Sequence, residues 1–365
     1  MGAGVPSTRA KPGTSIHSRL DRRSGVVVMD LWLCRRGSRG FSITVKGVVR
    51  MRTRLVSMLA AGVAAGAVGG AVWRYRRDMA AAWDRLEQLD RHVVATRFGA
   101  VEYAERGTST TAVLVSHGAF QGCDGGLALM QNAPEDQRVI APSRFGYLGS
   151  SLPAGATAAD QADAFVELLD HLGLHTVDVV GLSAGTSAAV HMALRHPDRV
   201  DHLVIMSGVF PSDPLAEAPP GWTRMLYSEP VMWLLSVLAR PVMVRMAGFP
   251  EGFPRDADDA AIVDWAIQGM FPLRPRAAGL VFDSYTSNPE ITDLPPEQVA
   301  VPTLIVHAVD DKLASYDAAA AATARIPGAR LVSLDSGGHL MLGQTERVGT
   351  EMATFLSEQS APLRA

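Results

Sequence analysis

A serine set between two glycines, where an apolar run turns into a helix of small residues, constrains this chain more than any other feature. The segment is Gly181-Leu182-Ser183-Ala184-Gly185, preceded by Val177-Asp178-Val179-Val180 and followed by Thr186 to Arg195. A residue at the tip of so sharp a strand-to-helix turn sits in strained backbone geometry, and bulky neighbours would collide with the adjoining strand and helix. The strain lifts the hydroxyl out of the sheet, where a histidine can reach it. His196-Pro197 then stops the helix, since proline disfavours helical geometry in its predecessor and has no amide donor.

The segments around this turn predict the rest of the architecture. Short runs at Ala112–Ser116, Arg138–Ala141, Val177–Leu182, His202–Ser207, Thr303–His307 and Leu331–Leu334 are apolar and rich in branched residues, the pattern of buried parallel strands. Val93–Arg97 and Ala100–Ala104, joined around Phe98-Gly99, predict an opening hairpin. Between strands lie helical patterns such as Ala158 to Leu172, with apolar spacing at Ala162, Phe165, Leu168 and Leu169. The alternation predicts an α/β fold, a doubly wound and mainly parallel sheet covered on both faces. Reactive groups in such sheets gather at the carboxyl ends of strands. Four unrelated segments converge there: Ser183, the loop His117-Gly118-Ala119-Phe120, the pair Asp310-Asp311, and His339 behind Ser336-Gly337-Gly338.

These residues carry a resemblance. From about Val93 to Leu356 the chain is similar to α/β-hydrolases with a helical cap. The order Ser183, Asp311, His339 is their Ser…Asp…His order, unlike that of the chymotrypsin or subtilisin families. The resemblance implies Ser183 as nucleophile, His339 as general base and Asp311 as the acid that orients it. Counting along the family pattern His-Gly-x-x-Asp from His307 lands on Asp311, with Asp310 as the alternative; Ala308 replaces the usual glycine. One of the two aspartates is expected in a turn, capping a helix that starts near Tyr316. Oxyanion donors are implied at the amides of Ala119 and Ala184, and His117 is implied to be structural. Val139 to Tyr147 resembles the family's Asp-x-Arg-Gly-x-Gly loop, with Ser143 and Phe145 as departures. The implied activity is hydrolysis of a carboxylic ester or related acyl compound, with neither cofactor nor metal. Carbon–carbon bond hydrolases and perhydrolases keep the serine and stay as alternatives, as does a non-catalytic, membrane-tethered binding protein on the same scaffold. Epoxide hydrolases and haloalkane dehalogenases of this fold use aspartate at this strand-to-helix turn, so the serine excludes them.

Between Phe210 and about Val301 the alternation breaks. Prolines at 211, 214, 219 and 220 open an irregular stretch, followed by helical segments at Met225–Met246, Asp256–Met270 and Arg274–Ser284. This is read as a cap inserted between the sixth and seventh strands, from which Trp222, Met225 and Trp233, with Phe120 from the core, are expected to line an apolar substrate pocket. The division is 1–50, disordered or an overlong start with Met51 as the true beginning; 51–91, a hydrophobic anchor or signal segment and a connecting helix; 92–210 and 301–358, the core; 211–300, the cap.

Leu55 to Trp73 carries no charge, is flanked by arginines on both sides and has the length of a single bilayer span, giving an N-terminal hydrophobic helix. The expectation is a membrane anchor, with a cleaved signal peptide and a soluble helix as alternatives. Asp78 to Arg91 reads as an exposed, charged helix. A net charge of −3 gives no sign of a nucleic-acid partner. The expected partner is a small apolar acyl substrate. Cys34 and Cys123 show neither a disulfide framework nor metal-ligand spacing.

Overall fold

The computed structural model describes residues 15–21, 26–33, 41–44, 48–249, 252–253 and 255–358. The chain divides into two compact units, Met1–Arg76 and Arg77–Ala365. In the first, β1 (Ser15–Asp21), β2 (Val26–Leu33) and β3 (Phe41–Thr44) pair antiparallel in that order. They fall within residues 1–50, read as disordered or an overlong start; the Val26-Val27-Val28 run is locally β-favouring in a region whose composition is otherwise Arg-, Gly- and Ser-rich. Residues 1–14, 22–25, 34–40 and 45–47 of that stretch lie outside the described residues. Met51 lies inside α1 (Val48–Glu87), a helix that continues across the unit boundary. Its portion from Val56 is long and apolar enough to cross a membrane by length and composition, and the side chains from 56 to 74 are exposed.

The second unit is built on an eight-stranded sheet. Its strands are β4 (Arg91–Thr96), β5 (Gly99–Arg106), β6 (Ala112–Ser116), β7 (Arg138–Pro142), β8 (Val177–Leu182), β9 (Val200–Met206), β10 (Thr303–Ala308) and β11 (Arg330–Leu334), in the spatial order β11-β10-β9-β8-β6-β7-β5-β4. β4 and β5 form the expected hairpin, β5 pairs antiparallel with β7, and every pairing from β7 through β11 is parallel. β6 and β10 are wholly buried, which is why they read as unbroken apolar runs rather than alternating ones.

Helices cover both faces. α3 (Ala158–His171), α4 (Thr186–Arg195) and α10 (Tyr316–Arg325) pack Phe165, Leu168, Ala189, Met192 and Ala319 against Leu114, Val179 and Ile305. On the opposite face, α11 (Thr345–Leu356) packs Val348, Met352 and Phe355 near Val113, Val180, Val204 and Val306, with α2 (Cys123–Leu129) beside β7. α3 begins with a capping box: Thr157 accepts from the Asp160 amide, and the Asp160 carboxylate accepts from the Thr157 amide.

The segment between β9 and β10, the sixth and seventh strands of the sheet, forms the helical insertion. It contains a 3-10 stretch (Gly221–Tyr227), α5 (Glu229–Leu238), α6 (Arg240–Met246), α7 (Ala257–Gly269) and α8 (Ala277–Phe282), which passes through a π turn (Asp283–Ser287) into α9 (Asn288–Glu290). The end of α1 departs from expectation. Met79, Ala82 and Leu86 recur at helical spacing and are buried, so this last stretch, itself part of the second unit, buries one face instead of being exposed throughout.

Candidate active site

Three loops at the carboxyl ends of β8, β10 and β11 meet at one point. Ser183 stands at the β8–α4 junction with φ +51°, the left-handed region that costs an L-residue about 1–3 kcal/mol. The flanking glycines are required by close approach. A Cβ on Gly185 would stand 2.1 Å from the Ser116 carbonyl oxygen and 2.6 Å from that of His117; one on Gly181 would stand 2.8 Å from the Ala189 methyl. The Ser116 hydroxyl also donates to the Gly185 carbonyl at 2.9 Å, clamping β6 to the turn.

His339 Nε2 lies 2.9 Å from Ser183 Oγ, and His339 Nδ1 lies 2.8 Å from Asp311 Oδ2. With the Nδ1 proton donated to the carboxylate, Nε2 accepts from the serine hydroxyl. Asp311 is fully buried and its Oδ1 accepts from the amides of Leu313 (2.8 Å) and Ala314 (3.0 Å). Burial alone would raise its carboxyl; the His339 charge, the hydrogen bonds from His307 and His339, and the Leu313 amide together hold it well below the usual carboxylate range. Asp310 has a different job. Its carboxylate accepts from the amides of Gly337 (3.3 Å) and Gly338 (2.9 Å), tying down the loop that carries His339. Both glycines have positive φ, +131° and +60°. The helix near Tyr316 is capped by Ser315, whose hydroxyl accepts from the Ala318 amide, rather than by either aspartate.

His307 is a contact that sequence reasoning missed, although its i, i+4 spacing to Asp311 was a usable signal. It is fully buried, with Nε2 3.3 Å from Asp311 Oδ2 and 3.3 Å from the Ala314 carbonyl.

The loop after β6 passes beside the serine: a Cβ on Gly118 would stand 3.5 Å from the Ser183 Cβ. Ala184 is buried next to it. His117 is structural. Its Nε2 accepts from the Arg144 amide (3.0 Å), which leaves the proton on Nδ1 to donate to the Gly118 carbonyl (2.7 Å). Burial, then the Arg144 charge, keeps this imidazole neutral well below its ordinary range. Arg144 in turn donates Nε–H to the His117 carbonyl and forms a buried bidentate pair with Asp283, which Tyr147 also contacts through its hydroxyl. This network joins the loops after β6 and β7 to the π turn of the insertion. Arg144 lies in the loop singled out from sequence; Asp283, 139 residues away, carried no signal.

The expected pocket residues separate. Phe120, at φ +65°, places its ring 6.4 Å from that of Tyr227 in the insertion. Trp222 and Met225 are 65% and 71% exposed: three residues apart on the 3-10 stretch, they stand on one side of it, the side open to solvent. Trp233 is buried, but its indole N–H donates to Asp78 Oδ2 at 3.0 Å, so it secures α5 to the end of α1. A cavity of about 930 Å³ lies on the α2–α11 face; Leu182, Gln121, Leu340 and Met341 are among its lining residues, and Ser183, Asp311 and His339 are not. Cys123 is buried, its thiol pushed up to about 12 by burial and by Glu102, which makes it a poor nucleophile. Among the described residues, no group of three or more His, Cys, Asp or Glu side chains could hold a metal ion.

Comparison with known proteins agrees with this architecture. The family model of the alpha/beta hydrolase fold matches residues 111–344. An uncharacterized hydrolase of Bacillus subtilis (strain 168) is 30% identical over 277 residues, covering 71% of this chain and 95% of the relative. The 2-hydroxymuconate semialdehyde hydrolase of Pseudomonas putida is 30% identical over 233 residues, 62% of this chain and 79% of the relative. Among solved structures, an alpha/beta hydrolase fold protein from Nakamurella multipartita superposes with a TM-score of 0.60 at 27% identity, covering 73% of this chain and 99% of that one. With the family model spanning more than half of its length, this chain belongs to the α/β-hydrolase fold family.

Proposed function

We propose that the chain is a serine hydrolase that cleaves a carboxylic ester or related acyl compound through an acyl-enzyme. Ser183 Oγ attacks the acyl carbonyl while His339 Nε2 takes its proton. Asp311 holds the imidazole in the required tautomer and stabilises the cation that forms. The amides of Ala119 and Ala184 hold the developing oxyanion. His339 returns the proton to the leaving alcohol, then activates a water that releases the acyl group. No cofactor or metal enters this scheme. The observation that carries the reading is the continuous hydrogen-bonded line from Ser183 Oγ through both ring nitrogens to Asp311, at 2.9 and 2.8 Å.

A fluorophosphonate probe tests it. Labelling at Ser183, abolished in Ser183→Ala and accompanied by a fall of about 10⁴-fold or more in turnover of a 4-nitrophenyl ester, is the expected result. A folded wild-type chain that resists the probe would favour the non-catalytic scaffold instead. A second reading, carbon–carbon bond hydrolysis, draws on the similarity to the 2-hydroxymuconate semialdehyde hydrolase. Turnover of a 2-hydroxy-6-oxo-dienoate well above that of esters of graded acyl length would select it. We further propose that Leu55–Trp73 anchors the chain in a membrane.

A further inference from the structure

Asp311 orients its imidazole from a loop, and that loop is braced from the strand beneath it. His307 belongs to β10, buried along its whole length, and stands in register with Ser333 of β11. Its ring reaches forward over the turn. Nε2 lies 3.3 Å from Asp311 Oδ2, four residues on, and 3.3 Å from the Ala314 carbonyl oxygen, seven residues on. The turn is itself closed by the Asp311 carboxylate, whose Oδ1 accepts from the Leu313 and Ala314 amides. One ring nitrogen on a fixed strand therefore touches both the acid and the far end of its turn.

The surroundings of the ring place its proton. Both atoms that face Nε2 are oxygens that only accept, one of a carboxylate and one of a carbonyl. Nδ1 is buried and has no hydrogen-bond partner among the described residues. A ring protonated on Nδ1 alone would bury an unpaired donor and turn a lone pair toward two oxygens. Nε2 therefore carries a proton. Its N–H completes the carboxylate: Oδ1 takes two amides, and Oδ2 takes His339 Nδ1–H at 2.8 Å with His307 as a second neighbour. Each donor on a carboxylate oxygen draws charge from it. With His307 in place, Oδ2 pulls less strongly on the His339 proton than it would with His339 as its sole donor.

The other titratable groups around this pair are engaged elsewhere. Asp213, buried in the stretch after β9, gives its two oxygens to the amides of Leu215 (2.8 Å) and Ser315 (2.7 Å). Tyr316 of α10 sets its ring nearly perpendicular to that of His307 at 6.1 Å, and its hydroxyl lies 2.6 Å from Ser333 Oγ. Asp310 accepts from the Gly337 and Gly338 amides.

We propose that His307 is a positioning residue of the catalytic centre, fixing the turn that carries Asp311 and moderating the basicity that Asp311 confers on His339. The assignment rests on the hydrolase reading above.

Glutamine and asparagine separate position from polarity at this site. The amide nitrogen of glutamine falls near the Nε2 position, and that of asparagine near the Nδ1 position. The acid limb of kcat/KM for a 4-nitrophenyl ester reports the essential base of the free enzyme. His307→Gln should keep that limb within about 0.2 pH units of the wild type and kcat within about threefold. His307→Asn should move the limb up by at least about 0.5 pH units and lower kcat about tenfold. Equal profiles for the two variants, or an unmoved limb in a folded His307→Asn chain, would overturn the proposal. If His307→Asn does not fold, His307→Leu, close in volume and without a donor, takes its place with the same expected shift. Long-range ¹H–¹⁵N spectra of the full-length wild type, labelled at histidine, read the proton itself. A proton on His307 Nε2 is the expected result, and a bare Nε2 would overturn the assignment. A wild type that neither reacts with a fluorophosphonate nor turns over ester would strike the hydrolase reading. An active wild type with a bare His307 Nε2 would strike the positioning role alone.

Discussion

Two adjacent aspartates illustrate what a single residue contributes. Asp311 sits 2.8 Å from the imidazole it orients, whereas Asp310 binds the Gly337 and Gly338 amides and acts through the loop. Asp311→Asn should therefore lower kcat by about 10⁴-fold, because the amide favours the wrong imidazole tautomer. Asp310→Ala should lower it by about 10- to 100-fold through misplacement of His339. Steady-state kinetics on a 4-nitrophenyl ester separate the two, and equal losses would contradict the division of roles. The distinction was only half legible. Motif spacing favoured Asp311, but the loop-holding task of Asp310 depends on a turn whose partner amides lie 27 and 28 residues away. Ser183 and His339 were legible because each lies within two residues of a glycine in a loop that follows a strand. The directions of Trp222, Met225 and Trp233 were not legible, because an apolar side chain in an inserted segment gives none of its own: the first two share the exposed side of the 3-10 stretch and the third turns to Asp78.

At the level of elements, the strand-to-helix turn works because β6 and α4 approach it so closely that no side chain fits at 185. Gly185→Ala would drive a methyl into two backbone carbonyls and should cost at least about 3 kcal/mol, read as a lowered denaturant midpoint. Gly349, inside α11 with open space around it, supplies the contrast: Gly349→Ala should stabilise by about 0.5–1 kcal/mol. The insertion is joined to the core by a different device, the buried Arg144–Asp283 pair. Arg144→Met alone leaves Asp283 without its guanidinium and should cost about 3–5 kcal/mol. The double variant Arg144→Met with Asp283→Leu removes both charges and should recover part of that loss. Further loss in the double variant would argue that the pair contributes more than mutual neutralisation. The sheet and its helices were readable because their periodicity is local. This pair was not, since it joins positions 139 residues apart and only packing of the insertion brings them together.

Across the whole molecule, buried histidines set how stability responds to acid. His117 and His191 are both held below the ordinary imidazole value by burial, His191 down to about 4, with Arg144 and Arg195 respectively adding to the effect. Each is neutral in the folded chain, while an unfolded histidine takes up a proton near pH 6.5. Below that value the unfolded state binds more protons, so stability falls as pH drops from about 6.5 toward the lowered folded values. His202 works in the opposite sense. Its hydrogen bond to Asp178 raises its value, so its contribution is complete below about pH 6.5 and is lost as pH rises through the raised folded value. Asp311 lies outside this window: a carboxyl held so low stabilises the fold above its unfolded value near 3.9 and loses that contribution only in stronger acid. Two desolvated neutral histidines therefore oppose one paired histidine, and the melting temperature should fall between pH 7.5 and pH 5. His191→Gln removes one of the two and should make that fall shallower while changing little at pH 7.5. Thermal melts of both proteins across this range check the sign, and an equally steep fall in the variant would show that the loss originates elsewhere.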